Sequence, residues 1–269
     1  MLRLDDEWVW DAWVADDGER YHLFFLKAER ALGDPALRHT RATVGHAVSE
    51  DLVHWENLGQ ALGPRESGFD DLAVWTGSVV HDGEQWRMFY TAISSSGHHV
   101  FDQRIGSVVS HDLHHWRRHS DTPVLPVDRR WYKTLDLAPP DTTGPDLEGS
   151  SETWRDPLVL RDPSGDGWHM LLTARAVGAA RNDDGVVAHA RSRDLTTWEV
   201  GPPLCSPGIS GARPFTAEPD LFAAPLVQGR DGGWVILGFR NLEPRGLDGF
   251  DICDPIPVGL DAEGYLVAR

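Results

Sequence analysis

One pattern, Ser-x-Asp-Leu-x-x-Trp, stands three times in this chain, at residues 49–55, 110–116 and 192–198. Each copy follows a short alternating apolar segment (44–48, 105–109, 186–190) and precedes a further strand-like piece and a Pro-containing turn. An Asp that turns the chain and a Trp that anchors its return make a hairpin signature. Upstream of each hairpin runs an aromatic strand, at 21–25, 86–91 and 168–173; a fourth, at 234–239, has no clear hairpin after it. A Gly/Asp turn precedes every one: Asp17-Gly18, Asp82-Gly83, Gly165-Asp166-Gly167 and Asp231-Gly232-Gly233. The sequence predicts no helix of any length.

The unit is therefore four strands, repeating at 61 and then 82 residues between Asp51, Asp112 and Asp194. The longer interval holds a Pro/Gly/Asp-rich insertion, about 128–152, which reads as a loop. Four-stranded units at this period predict an all-β propeller, folding as a single domain over 1–269. A β-sandwich competes, but it does not require aromatic strands to recur in fixed phase. Only four blade starts are clear, so a fifth blade is expected from about 241–269, closed with help from N-terminal residues.

Counting back from the repeat aspartates picks out Asp11, Thr76 and Asp156, at 40, 36 and 38 residues. In the fourth unit Glu218 is expected at the same position, the mouth of each blade's first strand. Such strands line a propeller's channel, so Asp11, Asp156 and Glu218 would converge on one funnel. Carboxylates brought together separate their pKa values, one raised toward a useful acid, another kept ionised by an Arg such as Arg155. Two carboxyls flanking a glycosidic bond are the minimum for its hydrolysis, and a third would orient hydroxyls or support positive charge at the anomeric carbon. Taken singly, each of these acids reads as a turn or cap residue. In register beside Trp10, Trp13, Trp75 and Trp154 they read as a site, unless those rings only plug the channel.

A formal charge of −17 argues against nucleic acid or an anionic membrane as partner and fits a neutral small ligand. The first residues show neither a basic nor an apolar leader region, so the expectation is cytoplasmic, with secretion open if a leader has been removed. Cys205 and Cys253 read as reduced thiols rather than a disulfide framework or metal pair. His98-His99 and His114-His115 read as turn residues, and the loop 29–41, with Arg30, Arg38 and Arg41, as solvated surface. That loop could alternatively reach the funnel and bind a phosphorylated or acidic sugar. The oligomeric state is not legible.

Several blocks resemble known enzymes. Val9-Trp10-Asp11-Ala12-Trp13 resembles the nucleophile segment of levansucrases, glycoside hydrolase family 68. Trp75-Thr76-Gly77-Ser78, Trp154-Arg155-Asp156-Pro157 and Ala217-Glu218-Pro219-Asp220-Leu221-Phe222 resemble blocks of family 32, the invertases, inulinases and levanases. The resemblance implies a five-bladed propeller and retaining cleavage of β-fructofuranosides, without cofactor or metal. Asp11 would be nucleophile, Glu218 acid/base and Asp156 transition-state stabiliser, with Arg155, Trp75 and Thr76 contacting the sugar and Trp10 and Trp13 beside it. Family 32 has Asn-Asp-Pro at the nucleophile and Glu-Cys at the acid, whereas this chain has Trp10-Asp11-Ala12 and Glu218-Pro219. The family's C-terminal β-sandwich is not expected here. An inverting enzyme of the family 43 type, a fructosyltransferase and a non-catalytic sugar-binding propeller remain the alternatives.

Overall fold

The structure, a computed structural model, describes residues 1–95, 102–134, 152–180, 183–208, 221–240 and 250–269. It is built from antiparallel sheets, with only two short 3-10 helices, Arg30–Leu32 and Pro35–Thr40, among the described residues. The chain forms two compact units: Met1–Gly63 with Ala212–Arg269, and Pro64–Gly211.

The second unit holds two blades. One comprises β5 (Ala73–His81), β6 (Trp86–Ser94), β7 (Asp102–Ser110) and β8 (Arg117–Arg118), paired in that order. The other comprises β9 (Trp154–Arg161), β10 (Trp168–Arg175), β11 (Gly185–Ser192) and β12 (Glu199–Gly201). Between them lies a core that includes Phe89, Ile105, Trp154, Met170 and Leu172. Burying each such side chain is worth about 1.5–3 kcal/mol. Among the described residues no strand pairs with the second edge of β9, and side chains of β5, β6 and β7 meet it instead. Gln103 Oε1 accepts from Trp154 N at 3.0 Å, Thr91 Oγ1 from Asp156 N at 2.8 Å, and Ser78 Oγ from Val159 N at 3.0 Å. A buried edge N–H left unpaired would cost about 1–3 kcal/mol, so these three contacts fix the register of β9. The insertion expected as loop contributes Tyr132, fully buried, its ring 5.2 Å from that of Trp154 and its hydroxyl donating to Gly201 O. Residues 135–151 of it lie outside the described residues.

In the first unit one blade comprises β1 (Glu7–Asp16), β2 (Tyr21–Glu29), β3 (Thr43–Ser49) and β4 (Glu56–Leu62). The remaining strands are β13 (Leu221–Phe222), β14 (Leu226–Gln228), β15 (Trp234–Ile236), β16 (Phe239–Arg240), β17 (Asp251–Ile252), β18 (Ile256–Leu260) and β19 (Leu266–Ala268). They pair as two small sheets, β13-β16-β17 and β14-β15-β18-β19. The two are halves of one bent blade. Leu237 N donates to Pro225 O and Cys253 N to Gly238 O across the bend, so the register runs through it. Residues 251–268, expected in a fifth blade, thus supply the third and fourth strands of the fourth. The N-terminal residue Leu2 bridges Ile252 of that same blade.

The repeated turn works as its sequence suggests. Asp112 Oδ1 accepts from His114 N and His115 N, and Ser110 Oγ closes the loop by donating to the same oxygen. Asp51 and Asp194 make the same contacts. These hydrogen bonds hold all three carboxyls well below the usual range. The Leu that follows is left-handed each time (φ 65°, 63° and 60° at Leu52, Leu113 and Leu195), and its burial offsets that strain. Neither cysteine forms a disulfide among the described residues; Cys205 is exposed and Cys253 buried.

Candidate active site

The first strand of every blade carries one irregularity at the same place. The β1–β2 register shifts between Trp10 and Ala12, so Asp11 is the extra residue. The β5–β6 register shifts between Trp75 and Gly77, leaving Thr76 extra. In β9, Asp156 and Pro157 stand opposite Leu172 alone. Each bulge lies five residues before the strand's end at Asp16, His81 or Arg161. By that count the fourth-blade counterpart, five before Gln228, is Ala223, where residues 223–225 stand opposite 237–238. The sequence phase therefore holds for Asp11, Thr76 and Asp156. Glu218 precedes Ala223 by five positions and lies outside the described residues.

A β-bulge re-aims the side chain it carries. Asp11, Asp156 and Ala223 sit at positive φ (37°, 58° and 41°), a conformation that costs a non-glycine residue about 1–3 kcal/mol. Since Ala223 bears the strain with no functional group, the bulge belongs to the blade architecture. Function resides in which side chain it presents.

In the second unit Asp156 is tied to its surroundings at both ends. Its N–H donates to Thr91 Oγ1, and that hydroxyl donates to Thr76 O at 3.1 Å, joining two of the bulges. Its Oδ2 accepts from Thr173 Oγ1 at 3.0 Å and from Arg155 Nε at 3.2 Å. Strict alternation would send Arg155 and Asp156 to opposite faces. The positive φ of Asp156 breaks the alternation and brings them together. Burial pushes the Asp156 carboxyl above its ordinary pKa; the Arg155 charge and the Thr173 and Arg155 hydrogen bonds oppose this. Trp154 is fully buried in the core and Trp75 nearly so.

In the first unit Asp11 follows Trp10, which is buried, and Trp13 is buried against Phe24 with ring centroids 6.2 Å apart. Arg38 is part-buried, in a loop that is otherwise largely solvated as expected. Its 3-10 helix, Pro35–Thr40, is capped by Asp34, whose Oδ1 accepts from Ala36 N. The helix lays the Arg38 guanidinium over the rings of Trp10 (5.6 Å) and Phe250 (4.7 Å). Burial lowers the pKa of Arg38, and the negative charge of Asp11 counters that effect.

Sequence reasoning missed Thr91 and Thr173 and read Arg38 only as part of a solvated loop. It also missed a repeated polar core: His22 meets His46 at 3.0 Å and Asp17 at 3.0 Å, and His169 meets His189 at 2.8 Å and Asp162 at 2.9 Å. The signal was present, because His22 and His169 each directly follow the aromatic residue that opens a second strand. His115 folds back onto its turn carboxylate, Asp112, at 2.7 Å. His98 and His99 lie outside the described residues.

Solved structures with this fold cover nearly the whole chain. Fructan 1-exohydrolase IIa from Cichorium intybus superposes with a TM-score of 0.68 at 16% identity, covering 100% of this chain and 59% of its own. Inulosucrase from Halalkalicoccus jeotgali gives 0.62 at 22% identity, covering 98% and 70%. Their fold, the five-bladed β-propeller, is the fold class of this chain, and its described strands make four blades. The family model described as "Glycosyl hydrolases family 32 N-terminal domain" matches residues 13–225. The chain belongs to glycosyl hydrolase family 32. Among curated relatives, an insoluble β-fructofuranosidase isoenzyme of Arabidopsis thaliana is 29% identical over 191 residues, 70% of this chain and 28% of that protein. A levanase from Bacillus sp. (strain L7) is 30% identical over 216 residues, 74% of this chain and 20% of that protein. The chain thus spans about a quarter of the length of such relatives.

Proposed function

We propose that this chain is a retaining glycoside hydrolase acting on β-fructofuranosides. The observation that carries the reading is the family match over 13–225, which encloses the Trp154-Arg155-Asp156-Pro157 block and its anchored carboxylate. Relatives named β-fructofuranosidase and levanase support the substrate class.

In this reading a carboxylate oxygen of Asp11 attacks the anomeric carbon as the glycosidic C–O bond breaks. Glu218 gives its proton to the leaving oxygen. Water then attacks the fructosyl ester, Glu218 takes its proton, and Asp11 is released. Asp156, its Oδ2 held by Thr173 and Arg155, faces the positive charge that builds on the sugar ring. Arg155, Thr76 and the edges of Trp10, Trp13 and Trp75 define the sugar's surroundings. The substrate is a small neutral carbohydrate, and no cofactor enters the scheme.

Transfer of the fructosyl group to a second sugar uses the same covalent intermediate. It is favoured specifically by similarity to a bifunctional fructosyltransferase of Allium cepa, 34% identical over 153 residues, 46% of this chain and 23% of that protein.

The test is incubation with sucrose and short fructans, following released sugar and its anomer by NMR beside Asp11→Asn and Glu218→Gln. Fructose released with retained configuration, and lowered about 10²–10⁴-fold by Glu218→Gln, is the expected result. Release that survives Asp11→Asn would overturn the assignment of the nucleophile. Longer fructans accumulating from sucrose would establish transfer.

A further inference from the structure

We infer that Arg104 and Arg175 are positioning residues for Asp156: from two strands they clamp the chain at Glu152 and Thr153, just ahead of the bulge that presents the Asp156 carboxylate. The inference rests on the proposed role of Asp156.

Three consecutive residues lead into β9, and a side chain from another strand holds each of them. Glu152 is buried, and its Oε1 accepts from Arg104 Nη1 of β7. Thr153 Oγ1 accepts from Arg175 Nε of β10 at 3.1 Å. Trp154 N donates to Gln103 Oε1 of β7 at 3.0 Å. Both arginines are fixed in their turn. Arg104 Nη1 lies 2.6 Å from Asp102 Oδ1 and donates to Gln103 O at 2.7 Å. Arg175 Nη1 donates to Asp184 Oδ1 at 2.8 Å, and the other oxygen of that buried carboxylate accepts from Lys133 Nζ at 2.7 Å. Lys133 also donates to Ala179 O at 3.1 Å, so the first residues of the 128–152 insertion are bound into the same network.

What the clamp does follows from what a bulge is. Its extra residue has no partner across the ladder, and it moves along the strand if the chain on one side slips by a residue. Beyond the bulge, β9 is held by the pairing of Leu158 to Arg161 with β10 and by Val159 N on Ser78 Oγ. Ahead of it, only Trp154 and Arg155 pair with β10, opposite Ala174 and Thr173. The two arginines make up for that short ladder. A slip there would pull the buried Glu152 carboxylate away from its guanidinium, and separating a buried charge from its partner is heavily penalised. With both flanks fixed, the left-handed residue stays Asp156, at φ 58°, and its Oδ2 stays on Thr173 and Arg155.

The experiment compares two ways of opening the clamp. The double variant Arg104→Met/Glu152→Gln removes the ion pair without leaving a buried charge alone. Thr153→Val removes the Arg175 hydrogen bond and spares the Arg175–Asp184 pair. Glu152→Gln by itself keeps an acceptor oxygen for Arg104 and should fall between wild type and the double variant. Arg193→Met, exposed in the turn at the other end of this blade, is the control and should match wild type. Amide hydrogen exchange followed by NMR needs no turnover. In the double variant and in Thr153→Val the Asp156 N–H should exchange roughly tenfold faster or more, while the Val159 N–H beyond the bulge keeps its wild-type rate. In both, kcat should fall roughly tenfold to a hundredfold, the loss typical of a misplaced reacting group, with KM changed far less. An unchanged Asp156 rate overturns the inference. Equal acceleration at Asp156 and Val159 also overturns it, because that marks a general loosening of the blade, and so does wild-type kcat in the double variant. Absence of fructose release from the wild type would sink the hydrolase reading and leave the exchange rates to decide this one.

Discussion

At the scale of single residues, Asp156 shows how a useful group and a stable one differ. Burial raises its pKa in the folded chain, so the folded state binds its proton more tightly than the unfolded chain does. The ionised carboxylate therefore works against stability at neutral pH, and that penalty lifts as pH falls through the raised pKa. Asp156→Asn is expected to melt at or above the wild-type temperature at pH 7, with the difference closing near pH 4. In the proposed reaction, fructose release should fall roughly 10²–10³-fold, the usual consequence of removing one transition-state stabiliser. Thermal melts at the two pH values, with rates measured beside them, check both halves. A clear drop in melting temperature at pH 7 would mean that the Thr173 and Arg155 contacts outweigh the cost of burying the charge. Arg155 and Asp156 are both about a third exposed, so their ion pair itself contributes little.

At the scale of elements, the hydrogen bonds that seat β9 against the β5–β8 blade join stability to the site. Thr91 links Thr76 O to Asp156 N, and Thr91→Val removes both bonds at once. A loss of about 1–3 kcal/mol is expected from urea unfolding, with kcat falling as Asp156 loses its anchor. The repeated turns give a different prediction. Their carboxylates have depressed pKa values, so their stabilising contribution is complete above the unfolded value, near 4, and is lost as pH falls below it. Asp112→Asn keeps the acceptor for His114 N and His115 N but removes the titration. Its melting temperature should decline less steeply than wild type between roughly pH 4 and pH 2. These turns were fully legible in the sequence, because an Asx turn is a local device completed within seven residues. The seating of β9 was not, because Thr91 and Asp156 lie 65 positions apart.

At the scale of the whole chain, a formal charge of −17 opposes compaction by self-repulsion. Raising salt from about 10 mM to about 150 mM shortens the Debye length from roughly 30 Å to 8 Å. The melting temperature should rise over that range while, under the proposed function, KM for sucrose, a neutral sugar, stays nearly constant. A KM that climbs with salt would instead indicate a charged substrate and return attention to the arginines of the 29–41 loop.

The sequence by itself determined the four-stranded unit, the turns that close it and the first-strand position shared by Asp11, Thr76 and Asp156. These depend on local hydrogen bonding and on a fixed repeat, both written in neighbouring residues. Tertiary structure decided the remainder. It showed the Pro35–Thr40 helix packed with Arg38 against Trp10 and Phe250, because aromatic faces more than 200 residues apart in sequence meet only in the folded unit. It put Ala223 at the fourth bulge, since only strand pairing reveals which residues stand unmatched. It also assigned residues 251–268 to the fourth blade, because which sheet a short apolar strand joins depends on the open edge beside it.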